Sequence, residues 1–275
     1  MKKLFKIVAW MVAVVVAFCA IIFLVAWKSP KYYVAQNVHP AANSFIPFSR
    51  YNGEHPRPYI IRSQQAVVFG AEHTRDAADA QISQIEKEWQ TLKPTIALVE
   101  GRLGFLMPGL MNPVENLGEG GKVKELAQKD GIPIYNWDLS KEALAAQLLQ
   151  HFNAEQVALY QILNPYFSQV RFGKPEPESF LKDFYKRAAF VGLQDSIQNI
   201  ADIDRTWKKY FPQVDWRNVS DETELPGFLA NMMAVTNDLR NRQLIAAVKE
   251  LEQKGERVFA ICGSSHAACV QPAFQ

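Results

Sequence analysis

Cysteine is scarce in this chain, and only Cys262 and Cys269 fall outside its amino-terminal apolar run. That excludes a disulfide-stapled scaffold. Because Cys262 lies inside a second apolar stretch, the two read as buried thiols rather than as a bond across the final loop. Acid is missing from the first 31 residues, where Lys2, Lys3, Lys6, Lys28 and Lys31 flank the apolar run. Without those five lysines the chain holds 25 basic residues against 28 acidic ones, so the formal charge of +2 does not describe the body. A mildly acidic body has no electrostatic footprint for nucleic acid, which is excluded as a partner. No internal repeat or low-complexity tract follows the apolar run, so a repeat array is excluded as well.

Two things are abundant: apolar residues, at 48% of 275, and one continuous block of them. Ile7 to Trp27 is unbroken and long enough to cross the hydrocarbon core as a helix. A secretory signal has a shorter apolar region and a small-x-small cleavage site, neither of which is found here. Cys19 follows Phe18, a poor lipoprotein box. The reading is an uncleaved, single-pass anchor over 7–27 with residues 1–6 in the cytoplasm. The lysines weakly favour that orientation by the positive-inside rule. The body would then be periplasmic or extracellular, on the inner (cytoplasmic) membrane.

Residues 28–64 carry Pro30, Pro40, Pro47, Pro56 and Pro58 and read as a linker or extended arm. The remainder, 65–275, reads as one α/β domain with a largely parallel central sheet, flanking helices and a helical insertion at about 140–225. Predicted strands cover 66–70, 95–99, 132–137 and 258–262. Predicted helices cover about 76–92, capped by Asp76, then 122–129 after the Gly118-Glu119-Gly120-Gly121 loop, and 227–254. His39, His55 and His151 follow no strand and read as ordinary loop or helix residues.

The stretches that carry chemistry are two strands, each running into Gly-x-x-His: Gly70-Ala71-Glu72-His73 and Gly263-Ser264-Ser265-His266. Each glycine is expected to let the chain turn sharply off its strand, leaving the histidine in a loop beyond the carboxyl end. A third strand ends in Glu100. Open α/β sheets bind ligands outside the carboxyl ends of their strands, so His73, Glu100 and His266 are expected to converge. Two imidazoles and a carboxylate suit zinc, manganese, cobalt or iron with an open position for water. Glu72 and Asp138 are candidate bases near strand ends, and Arg102 and Arg240 are candidates to hold a substrate carboxylate or an oxyanion. Ser265 resembles a nucleophile elbow, but no acid and no histidine follow His266, so the order that motif requires is missing.

Together, Gly70-Ala71-Glu72-His73, Val99-Glu100-Gly101-Arg102, Arg240-Asn241 and Gly263-Ser264-Ser265-His266 resemble the TraB/PrgY/GumN-like family, which includes the Tiki proteases and is distantly similar to ChaN and the erythromycin esterases. The resemblance implies an α/β core with a site of His73, Glu100 and His266, supported by Arg240 and Asn241. It implies metal-dependent proteolysis outside the membrane for Tiki-like members, a metal-free histidine base for the esterase branch, and haem binding for ChaN-like members. Three expectations follow: a membrane-anchored metal-dependent peptidase with His73, Glu100 and His266 as ligands; an esterase-like hydrolase of a small acyl compound using His73 as base; or a non-catalytic haem-binding, ligand-binding or regulatory protein.

Overall fold

The computed structural model describes residues 2–25, 28–41, 43–170, 173–221 and 223–275. Helix α1, Lys2–Val25, contains a stretch, Phe5–Ile22, long and apolar enough to cross a membrane. The chain divides into two compact units, one of Met1–Pro40, Gly53–Asp138 and Leu244–Gln275, the other of Ala41–Asn52 and Leu139–Gln243.

The first unit is built on a five-stranded sheet in the order β1-β2-β5-β3-β4. Its strands are β1 Tyr59–Arg62, β2 Ala66–Ala71, β3 Ile96–Val99, β4 Ile134–Asn136 and β5 Val258–Gly263. Every residue of β2 and β3 is buried, as is all of β5 except its last glycine. Strands covered on both faces need apolar side chains on both, which is why these segments lack polar alternation. β2, β5, β3 and β4 are parallel, as their composition predicts, and β1 pairs antiparallel with β2 at the edge. The last strand in the chain is central: Ala66 and Ile96 both pair with Val258, which aligns the carboxyl ends of β2 and β3 on either side of β5.

Helix α2, Ala80–Leu92, turns Ile82, Ile85 and Trp89 to the sheet, as their spacing predicts. Its cap is Asp79, whose carboxylate accepts from the Gln81 amide at 3.0 Å; Asp76 instead accepts from Ala78 in the preceding turn. Helix α3, Pro113–Asp130, starts earlier than predicted. Asn112 caps it and Pro113 fits its first turn, while Gly118 (φ 67°, ψ −159°) breaks it in two. The glycines of this segment permit close packing: a Cβ on Gly121 would lie 2.2 Å from the Pro113 carbonyl oxygen.

The stretch read as a linker or extended arm is fastened to the first unit at several points. Its Tyr59–Arg62 segment is β1, with Ile61 buried and Arg62 gripping Glu88 through two hydrogen bonds of 2.9 and 2.6 Å. Further upstream, Tyr32 bridges to Asn136 on the outer edge of β4, with Tyr33 N–H donating to the Asn136 carbonyl and Asn136 N–H to the Lys31 carbonyl, both at 2.8 Å. The buried Glu250 carboxylate then accepts from the Gln36 and Asn37 amides at 2.7 Å and from the Tyr33 hydroxyl at 2.8 Å.

The second unit is helical: α4 Lys141–Leu148, α5 Ala154–Val170, α6 Pro177–Leu181, α7 Ile200–Tyr210, and the first part of α8, Phe228–Gln253, which continues into the first unit. Its core is aromatic, with Tyr166, Phe167, Trp207 and Trp216 all buried and Trp207 against Phe211 at 4.4 Å. Cys262 and Cys269 are both buried thiols and form no disulfide.

Two stability measurements check this account. Neither Gly70 nor Gly263 has positive φ, so the sharp-turn expectation does not hold, and Gly70 lies within β2. Its role is close approach. A Cβ there would lie 2.5 Å from the Ala267 Cβ and 2.8 Å from the Tyr59 carbonyl oxygen, so Gly70→Ala should cost about 2 kcal/mol in chemical denaturation. Burial would raise the Glu250 carboxyl, but hydrogen bonds from Lys254, Asn37, Tyr33 and Gln36 outweigh it and hold it down at about 2. Since the unfolded carboxyl titrates near ~4.3, this stabilisation is complete above about pH 5 and is lost as pH falls towards 2. Glu250→Gln should lower stability at neutral pH by roughly 1–3 kcal/mol and flatten that acid limb.

Candidate functional site

Because β5 separates β2 from β3, the residues that follow these strands meet around the end of β5. The β3–β5 ladder stops at Leu98 and Ala260. Beyond it the Glu100 side chain takes over from the backbone, and its Oε2 accepts from the Gly263 N–H at 2.7 Å. Helix α9, Ser264–Val270, begins directly after β5 and places buried His266 in its first turn, so this histidine is helical rather than in a loop. His73 lies in the non-regular segment after β2, with its side chain 62% exposed.

The three side chains surround one point. A Cβ built on Gly263 would lie 3.8 Å from Glu100 Oε2, 3.8 Å from His266 Cδ2 and 3.9 Å from His73 Nε2. With φ −61° and ψ 144°, Gly263 has a backbone open to any residue, so the absent side chain matters here for space rather than conformation. The His266 ring stands edge-on to buried Trp137 at 5.7 Å, and the Trp137 indole N–H donates to the Ile261 carbonyl at 2.9 Å.

A fourth residue joins them that the sequence reading passed over. His73 Nδ1 lies 2.8 Å from Glu119 Oε1, and the other oxygen accepts from the Thr74 amide at 3.4 Å. In the neutral imidazole the proton therefore sits on Nδ1, donated to the carboxylate, and the lone pair is on Nε2, the nitrogen nearest Gly263. Glu119 reaches this position because of the glycines around it. Gly118 takes positive φ, where a Cβ would crowd the Thr74 carbonyl at 3.1 Å, and a Cβ on Gly120 would press on Leu103 at 3.0 Å. A single glutamate set among glycines was the available signal, but it resembled a plain connecting loop.

The remaining candidates are placed as follows. The Glu72 carboxylate pairs with Arg57 at 3.1 Å in an exposed ion pair. Asp138 is buried just past β4, and its amide is capped by the Asn136 side chain at 2.9 Å. Arg102 is exposed. Arg240 and Asn241 belong to the helical unit, where Asn241 is fully buried and the Arg240 charge acts on buried Tyr160. Burial pushes the Tyr160 phenol up, and Thr236 and Arg240 oppose that rise.

The donor types around Gly263 suit a divalent metal, but their arrangement does not fit one. Among the described residues no group of three His, Cys, Asp or Glu side chains is drawn together closely enough to hold an ion. What the arrangement places beside the small space at Gly263 is the Nε2 of His73, with Nδ1 held by Glu119. No protein-family model matches this chain, and no curated protein matches it in sequence.

Glu119→Ala should release the His73 tautomer. Heteronuclear NMR of the imidazole nitrogens is expected to show the Nδ1–H form dominant in the wild type. The Nε2–H form should become the major one in the variant, as it is for an unconstrained ring.

Proposed function

We propose that this chain is a membrane-anchored hydrolase of acyl compounds, esters or peptides, working outside the cytoplasm with His73 as a metal-independent general base. The observation that carries the reading is the relay from Glu119 through His73 Nδ1 to a lone-pair-bearing Nε2 beside the Gly263 space. In the reaction, Nε2 takes a proton from water as the water oxygen bonds to the acyl carbon. The tetrahedral species then collapses, breaking the bond to the leaving group, which recovers the proton from the imidazolium. Glu119 acts as a positioning residue: it fixes the tautomer and its charge favours the imidazolium. Glu100 holds the end of β5 in place through the Gly263 amide. The likeness of the four sequence motifs to the TraB/PrgY/GumN-like proteins supports the same site. The apolar length of α1 and the lysines at both of its ends support the anchor and its orientation.

A second reading, the metal-dependent peptidase with His73, Glu100 and His266 as ligands, is favoured by one observation, the gathering of those three side chains at one point. As they stand, the described residues form no group of three such side chains that could hold an ion. Elemental analysis of the purified full chain separates the readings. The general-base mechanism expects activity on a panel of acyl esters and peptides that chelators leave unchanged; stoichiometric metal together with chelator-sensitive activity would overturn it.

Two substitutions test the site. His73→Ala should lower the rate by roughly 10²–10⁴-fold with folding retained, the range for loss of a general base. Gly263→Ala should fold within about 1 kcal/mol of the wild type, because its contacts are ordinary van der Waals distances, yet it fills the shared space. An active Gly263→Ala enzyme would place the reaction elsewhere.

A further inference from the structure

The segment that leaves α1 is fastened to one particular place on the first unit. Ser29 Oγ donates to the Leu103 carbonyl at 2.5 Å, and the buried Lys124 ammonium donates to the Lys28 carbonyl. α1 ends at Val25, and the three-residue step from there to Lys28 spans at most about 11 Å even when fully extended. Whatever surrounds Leu103 is therefore held close to the plane where α1 leaves the bilayer.

What surrounds Leu103 is unusual for a surface facing water. From 101 to 114 the chain reads Gly-Arg-Leu-Gly-Phe-Leu-Met-Pro-Gly-Leu-Met-Asn-Pro-Val, with no acid and one charge, Arg102. Leu103 and Leu106 are buried and pin the loop, while Phe105 is 56% and Leu110 77% exposed. The tip is a built turn, with the Leu110 and Met111 amides both donating to the Met107 carbonyl and Gly109 at positive φ. It presents Leu110 outward rather than folding it under. Two large apolar side chains on a pinned loop, with exposed Arg102, Lys28 and Lys31 in neighbouring chain, match the composition that settles among lipid headgroups.

We propose that the loop 104–111 lies in the interfacial layer of the membrane that α1 crosses, with Phe105 and Leu110 inserted at the headgroup boundary. The occupant is the phospholipid surface because the chain itself delivers the loop there, through the short step from Val25 and the Ser29–Leu103 bond. Since Glu100 and Arg102 immediately precede the loop, the site around Gly263 would open beside the bilayer and take acyl substrates that are themselves membrane-bound. The placement of the loop rests on the reading of α1 as an anchor, and the membrane-bound acyl substrate rests in addition on the proposed function.

The test uses the full chain carrying Cys19→Ala in nanodiscs of phosphatidylcholine and phosphatidylglycerol, with one nitroxide placed at Leu110→Cys, at Val14→Cys in α1 or at exposed Lys87→Cys on α2. Cys262 and Cys269 are buried, and the Cys19→Ala parent gives their background. The ratio of oxygen to nickel-chelate accessibility at 110 should exceed that at 87 by at least roughly fivefold, as for a side chain sunk several ångströms into the interface. A ratio at 110 equal to that at 87, with a deep signal at 14, would overturn the inference and leave the anchor standing. Low accessibility to both reagents at 110 would mean a protein contact and would overturn it too. A water-like signal at 14 would remove the anchor, and the inference with it. Phe105→Cys repeats the measurement at a second exposed position, so misfolding of one variant cannot decide the outcome.

Discussion

The hydrogen bond from the Gly263 amide to the Glu100 carboxylate is the constraint on which the rest of the candidate site depends. Where the β3–β5 ladder stops, a backbone donor would otherwise be left at the sheet edge, and a charged acceptor satisfies it more strongly than a neutral one would. The bond also fixes the carboxylate. Glu100 is thus held where β5 ends and α9 begins, and His266, in the first turn of α9, is set by the same junction. His73 comes to the opposite side because β2 follows β5 in register as far as Ala71 and Gly263.

Around this junction the structure repeatedly uses missing side chains to bring backbones together. Gly70 allows the start of α9 to lie on β2, Gly120 and Gly121 allow α3 to pack tightly, and Gly118 breaks that helix so that Glu119 can reach the His73 loop. Two carboxylates then act on different atoms: Glu119 orients one imidazole and Glu100 secures the strand end. The Glu72 carboxylate, by contrast, pairs with Arg57 in an exposed ion pair, which contributes little in water.

Much of this is legible in the sequence alone. Strands buried on both faces announce themselves as short continuous apolar runs, so β2, β3 and β5 and their parallel pairing could be anticipated, and the convergence of residues 73, 100 and 266 follows from the sheet rule. What stayed hidden depends on tertiary packing. β1 is only Tyr59–Arg62 and directly follows Pro58, so nothing local distinguishes it from an arm; it exists because β2 offers an edge. The ordering of 31–37 comes from Glu250, far away in sequence. Glu119 was invisible for a similar reason, since its partner lies on another strand's loop. The glycines are visible in the sequence but their purpose is not: a turn can be argued locally, whereas close approach depends on the neighbour.

The position of β5 in the sheet bears on how the molecule comes into being. β1 with β2, and β3 with β4, are separate two-stranded pieces until the strand made last slides between them. During synthesis Ala66 and Ile96 must wait for Val258 to emerge, a long wait for contacts so distant along the chain. A premature stop even a few codons before residue 258 would leave two unjoined half-sheets with apolar edges, a substrate for quality-control proteases rather than a weakened version of the protein.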